Sequence, residues 1–200
     1  MNTRTDVVLV DAGGTNLGSV RYALERLGVV AELSTDAQRI RTATHVILPG
    51  VGAAAPGMAR LRAAGLIDVL RALEQPVLGV CLGMQLLFEH SEEGDTRCLG
   101  VIPGRIRRIE NGIGRRVPHM GWNRLRRERD DVLLEGIADD AQVYFVHSYA
   151  VLVGAHTVAS AEHGSAMSAI VRWRNFCGMQ FHPERSAAAG ARLLANFLDS

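Results

Sequence analysis

The chain has 200 residues, 48% of them apolar and 22% charged, with a formal net charge of +1 at pH 7. That size and balance suit one globular α/β domain with a substantial core and exclude a polyelectrolyte living on nucleic acid or membrane surface. No apolar run approaches the roughly 20 residues needed to span a bilayer. Every basic residue is arginine, which rules out chemistry requiring a lysine of this chain, such as a Schiff base or a phosphate-loop lysine.

The first half alternates strand-like and helix-like runs. DVVLVDA (Asp6 to Ala12) reads as a buried strand, and NLGSVRYALERLG as a helix stopped at Gly28. VVAEL is a second strand and THVILPG (Thr44 to Gly50) a third. Helical patterns follow near Ala54 to Ala63 and Leu66 to Leu73, then the strand PVLGV. Strands that are apolar throughout and separated by helices indicate a parallel sheet covered on both faces. Right-handed crossovers then bring the strands' C-terminal ends, and with them any active site, to one edge. From Leu99 onward, short runs with glycine-rich turns predict a mostly antiparallel extension of that sheet, and Ser186 to Leu198 a closing helix. The expected fold is therefore a single domain over residues 1–200, its mostly parallel sheet flanked by helices and extended by antiparallel strands.

The stretch LGVCLGMQLL places Cys81 between Gly79 and Gly83, where a strand-like run becomes helical. This is the strand–nucleophile–helix elbow with cysteine as nucleophile. Such a turn strains the backbone and needs small flanking residues. It exposes the sulfur at a helix N-terminus, where the dipole favours a thiolate, and it aims the N–H of Leu82 at a developing oxyanion. A lone cysteine in an apolar run is more often a buried structural residue. The balance shifts only because a base is available in GMQFHPERS. Pro183 keeps His182 extended, and the i, i+2 spacing then brings Glu184 to the same imidazole. Cysteine, histidine and an orienting carboxylate constitute an activated-nucleophile triad. LPGVG, with Gly50 and Gly52 astride Val51, is a weak turn signal alone and a plausible second oxyanion donor beside the elbow.

Taken together, PGVG, GVCLGMQLLF and QFHPERS resemble the class I (triad) glutamine amidotransferases. VDAGGTNLGSV, PHMGWN and YFVHSYA narrow the resemblance to the glutaminase subunits of imidazole glycerol phosphate synthase, from histidine biosynthesis, and it runs essentially the whole chain in order. It implies that Cys81 attacks the carboxamide of L-glutamine while His182 moves the proton and Glu184 holds the imidazole. It further implies that Gln85 and the HSY segment (His147, Ser148, Tyr149) hold the amino acid, and that no cofactor is needed. The implied partner is a (β/α)8-barrel cyclase, in a heterodimer, that receives the ammonia and binds the nucleotide. That assignment agrees with DAGGTNLG, which lacks the middle glycine of a dinucleotide fingerprint. Asn16, Met120, Trp122, Asn123 and Arg185 are the candidate docking residues. The first loop, Ala12 to Thr15, departs from the tyrosine-containing version of relatives, so its contacts with a partner stay open.

Three cysteines (Cys81, Cys98, Cys177) at unrelated spacings suggest neither a disulfide framework nor a metal cluster. MNTRTDVVLVDAGG lacks a signal peptide's long apolar stretch, so a reducing, cytoplasmic setting is expected. Arginines 105, 107, 108, 115, 116, 124, 126, 127 and 129 read first as a solvated hairpin face and second as docking surface. The rivals are another triad amidotransferase or a γ-glutamyl hydrolase, a redox or stress protein built on a cysteine elbow, and a silent binding subunit. The redox reading leaves Gln85 and the His182-Pro183-Glu184 run unexplained.

Overall fold

The structure is a computed structural model that describes residues 5–11, 17–110, 112 and 116–200. Asn16, the loop 12–15 and Arg115 lie outside the described residues. The first half runs β1 (Val7–Val10), α1 (Leu17–Arg26), β2 (Glu32–Ser34), α2 (Ala37–Thr42), β3 (His45–Gly50), α3 (Ala54–Ala63), α4 (Ile67–Arg71), β4 (Val77–Cys81) and α5 (Leu82–Leu87). Next come β5 (His90–Ser91), β6 (Thr96–Arg97), β7 (Arg105–Arg108), β8 (His119–Arg124) and β9 (Arg126–Arg127). The chain closes with β10 (Gln142–His147), β11 (Tyr149–Ala150), β12 (Thr157–His163), β13 (Ser165–Trp173), β14 (Phe176–Met179) and α6 (Ala187–Leu198), with 3-10 turns at Val132–Leu134 and Pro183–Arg185.

The main sheet has the order β2-β1-β3-β4-β14-β13-β12-β9. Its first five strands pair in parallel and β13, β12 and β9 join antiparallel. The apolar strands split their side chains between two cores, as a sheet buried on both faces requires. Val7 and Leu9 of β1 pack with Leu24 of α1 and with Leu193 and Phe197 of α6. Val8 and Val10 face the other way, toward Ile40, Met58, Leu61 and Leu70 of α2, α3 and α4. Gly28 ends α1 with φ +80°, while its N–H and that of Val29 bond back to Glu25 and Leu24.

Two elements differ from the sequence-based expectation. Helix α2 is capped by Asp36, whose side chain accepts from the Arg39 N–H at 2.6 Å, and it buries only Ile40. A single buried residue leaves no periodicity to read. The second half also does not extend the main sheet alone, because β8 and β10 form a separate antiparallel ribbon and β11-β7-β5-β6 a small third sheet. Burial alternates along β10 and β7 buries only Ile106, whereas β3 and β4 are buried almost throughout. A strand with one apolar face can lie against the outside of the core but has no place in its middle.

Candidate active site

The C-terminal ends of β3, β4 and β14 converge, and Cys81 is the last residue of β4. It holds φ +54°, ψ −110°, a conformation that non-glycine residues rarely occupy. Close packing explains why both flanking residues are glycine. A Cβ on Gly79 would stand 2.6 Å from the Met84 nitrogen and 2.7 Å from the Gly83 carbonyl group, and one on Gly83 would overlap the Leu48 carbonyl oxygen. Helix α5 is therefore clamped against β3 and β4 backbone to backbone, and the cysteine stands at the bend.

His182 follows β14. It has extended backbone (φ −98°, ψ 96°), as its position before Pro183 demands. Glu184 is not extended: it lies within the 3-10 turn Pro183–Arg185, and that turn, not a shared strand face, brings it back to the ring. The Glu184 Oε1 to His182 Nδ1 distance is 2.8 Å, with both side chains buried. Burial works against the His182 cation, but hydrogen bonds from its ring to Cys81 and Glu184 outweigh it and raise the imidazole to about 10. Three further contacts hold the turn. The His182 N–H donates to the Tyr144 carbonyl at 2.9 Å, the Ser186 hydroxyl donates to the His182 carbonyl at 2.7 Å, and the Tyr144 N–H donates to that hydroxyl at 2.9 Å.

A cavity of about 300 Å³ opens over the elbow, at the small end for a ligand site. Cys81, His182, Val51, Gly52, Leu82 and Gln85 line it, together with His147, Ser148 and Tyr149 from the end of β10 and the start of β11. Gly52 has φ +95°. Gly50 does not line the cavity; it pairs with Cys81 in the sheet, and a Cβ there would lie 3.0 Å from the Gly83 nitrogen. Glu184 stands behind His182, away from the lining. Gln85 Nε2 donates to the Tyr149 carbonyl at 2.9 Å and to Gln180 Oε1 at 3.0 Å. Both amide hydrogens are thus engaged, so Gln85 offers the cavity its oxygen as an acceptor.

Glu93, Pro118 and Val146 also line the cavity, and sequence reasoning missed them. Glu93 sits in the turn between β5 and β6, where its Oε2 accepts from the Ala54 N–H at 2.7 Å, so one carboxylate caps α3 and faces the site. The only sequence signal was a pair of glutamates in a turn soon after the elbow helix.

Of the docking candidates, Met120 and Trp122 are 63% and 52% exposed on β8. The Trp122 ring lies edge-on to Tyr144 at 6.0 Å, and the Arg185 guanidinium lies over Tyr144 at 5.3 Å. An exposed aromatic and basic cluster therefore adjoins the Pro183–Arg185 turn; Tyr144 is a member the sequence did not reveal. Asn123 behaves differently. Its amide donates to the Glu162 carbonyl at 2.8 Å and lies 3.2 Å from His119, so the side chain is engaged within the protein. Cys98 and Cys177 are buried, which raises their thiols to about 11 and about 12. Among the described residues no group of side chains is arranged to hold a metal ion. Of the arginines between 105 and 129, Arg127 pairs with Asp130 and Asp139, Arg126 with Glu128, and Arg129 bonds backbone carbonyls.

Residues 8–200 match the family described as glutamine amidotransferase class-I. Imidazole glycerol phosphate synthase subunit HisH of Xanthomonas campestris pv. campestris (strain 8004) is 60% identical over 195 residues, which is 98% of this chain and 98% of the relative. The subunit of the same name from Xylella fastidiosa (strain Temecula1 / ATCC 700964) is 57% identical over the same shares. A solved glutamine amidotransferase superposes with TM-score 0.76 at 21% identity, covering 96% of this chain and 97% of that one. PurLQS from Thermotoga maritima gives TM-score 0.74 at 17% identity, covering 98% and 99%. Those two structural likenesses establish the fold.

Proposed function

We propose, from the premise that this chain belongs to the class-I glutamine amidotransferase family, that it is the glutaminase subunit of an imidazole glycerol phosphate synthase. In that role it hydrolyses L-glutamine to glutamate and ammonia for histidine biosynthesis. The observation that carries the chemistry is a cysteine at a strained elbow, in one small cavity with a histidine that a buried glutamate orients.

The Cys81 thiol passes its proton to His182, and the thiolate so formed attacks the glutamine carboxamide carbon. The oxyanion that forms is held by the N–H of Leu82 and by a backbone N–H of the Val51–Gly52 turn. As the C–N bond breaks, His182 delivers its proton to the departing nitrogen, and ammonia leaves a γ-glutamyl thioester on Cys81. Water then loses a proton to His182 and attacks the thioester carbon. Collapse of that adduct releases glutamate and restores the thiol. Glu184 keeps the Nδ1 proton in place, so that Nε2 faces the sulfur throughout. The Gln85 oxygen and the Glu93 carboxylate accept hydrogens from the substrate, and the backbone of His147 to Tyr149 holds its amino-acid end.

The acceptor of the ammonia is a cyclase subunit, a (β/α)8 barrel that docks on the Met120, Trp122 and Arg185 face and binds the nucleotide itself. Asn16, outside the described residues, is a further docking candidate. No described helix is long and apolar enough to cross a membrane, and the proposed setting is the cytoplasm. The test is ammonia release by the purified chain, with and without the cyclase subunit and its nucleotide. Stimulated release that Cys81→Ala abolishes supports the reading; no release in any combination overturns it.

A further inference from the structure

Strand β8 has two faces. Its outward side chains include the exposed Met120 and Trp122, while its inward ones include His119, directly opposite His147 in the β8–β10 register. His119 is buried between Phe145, at 4.8 Å, and His163, at 4.2 Å, both stacked on its ring. Its Nδ1 lies 3.1 Å from His147 Nε2, and its Nε2 lies 3.2 Å from Asn123 Nδ2. His147 Nδ1 in turn lies 2.8 Å from the Tyr149 carbonyl oxygen, the same oxygen that accepts from Gln85.

Each direction in this chain is forced. A carbonyl only accepts, so His147 carries its proton on Nδ1 and presents a bare Nε2. His119 must then donate from Nδ1, which leaves its own Nε2 bare to accept from the Asn123 amide. Burial favours these neutral forms, pushing His119 down to about 3 and His147 to about 4. The hydrogen bonds therefore run unbroken from the side chain of Asn123, through two imidazoles of fixed tautomer, to the carbonyl that positions Gln85.

On the glutaminase reading above, which it extends, we propose that His119 and Asn123 are positioning residues for glutamine. They fix the His147 imidazole and through it the Tyr149 carbonyl and the Gln85 amide. The strand that presents the docking face thereby also sets the geometry of the substrate pocket. A rival reading makes His119 a satisfied core histidine whose contribution is packing, and two substitutions separate the two. His119→Phe keeps the stacked ring and loses both hydrogen bonds. His119→Asn loses the stack and keeps an amide donor where Nδ1 stood.

The experiment is steady-state ammonia release by the full chain with its cyclase subunit and nucleotide, together with a thermal melt of each variant. For His119→Phe the KM for glutamine should rise about fivefold to twentyfold, the loss expected of one buried hydrogen bond, with a much smaller change in kcat. His119→Asn should bring KM back to within about threefold of wild type despite a lower melting temperature. Asn123→Asp, nearly isosteric but accepting where an amide donated, should raise KM as His119→Phe does. A normal KM for His119→Phe, or a worse one for His119→Asn, overturns the proposal and leaves the packing role. A wild-type complex that releases no ammonia overturns the glutaminase reading itself, and this proposal with it.

Discussion

Gly79→Ala puts one methyl group into the elbow and tests whether backbone contact sets the nucleophile. The new Cβ would lie 2.6 Å from the Met84 nitrogen and 2.7 Å from the carbon and oxygen of Gly83, all of them backbone atoms that no rotamer change can move. Ordinary contact for a Cβ begins near 3.4 Å, so the start of α5 must retreat from β4 by roughly 0.8 Å. Overpacking of this kind costs about 1–3 kcal/mol, which for a chain of this size lowers the melting temperature by roughly 2–12 °C. The catalytic loss should be larger than the stability loss implies. The shift carries Cys81 and the Leu82 N–H away from His182, and misplacement near 1 Å costs on the order of 100-fold. Glutaminase assays should give kcat/KM reduced by about 10- to 100-fold in protein that still melts cooperatively. Gly154→Ala is the control, since a Cβ there would come no nearer than 4.0 Å to the Leu152 carbonyl oxygen. A Gly79→Ala enzyme within twofold of wild type would refute the idea that the helix–strand clamp positions the sulfur.

Three further outcomes are expected. Glu184→Gln replaces the charged acceptor 2.8 Å from His182 with a neutral one, and loss of charge assistance worth about 1.5–3 kcal/mol should lower kcat by roughly 10- to 150-fold; unchanged pH–rate profiles and kcat would count against an orienting role. His119 and His147 are held, chiefly by burial, at about 3 and about 4, below their ordinary value of 6.5. Between those values the unfolded chain binds protons that the fold does not, so stability falls as pH drops below 6.5. Urea titrations at pH 6.5 and pH 5 should show a loss of roughly 1.5 kcal/mol from each histidine, with a smaller loss in His119→Phe; an equal loss in the variant would deny His119 its share. Trp122→Ala removes an aromatic that is 52% exposed. Melting temperature should change little while affinity for the cyclase subunit, read by titration calorimetry, falls by about tenfold or more.

Much of the site is legible in the sequence because its signals are local. The two glycines around Cys81, the proline after His182 and the glycines around Val51 each announce a backbone event within a few residues. The Glu184 contact was anticipated through the wrong geometry: extended spacing pointed to the right pair, while a 3-10 turn makes it. What stayed hidden depends on long-range register. His119 meets His147 only because β8 pairs with β10, and Tyr144 reaches the Pro183–Arg185 turn through backbone bonds to His182 and Ser186. Glu93 enters the cavity from a turn that no periodicity marks. The separate β8–β10 ribbon was hidden for the same reason, since an alternating pattern states that one face is buried but not against what.

Covalent catalysis by Cys81 is the central claim, and its direct test is mass spectrometry of the chain quenched in acid during glutamine turnover with the cyclase subunit present. A γ-glutamyl adduct confined to the peptide containing Cys81 should form within one turnover and be absent from Cys81→Ala. Steady ammonia release with no adduct on that peptide, or with release intact in Cys81→Ala, would contradict that claim.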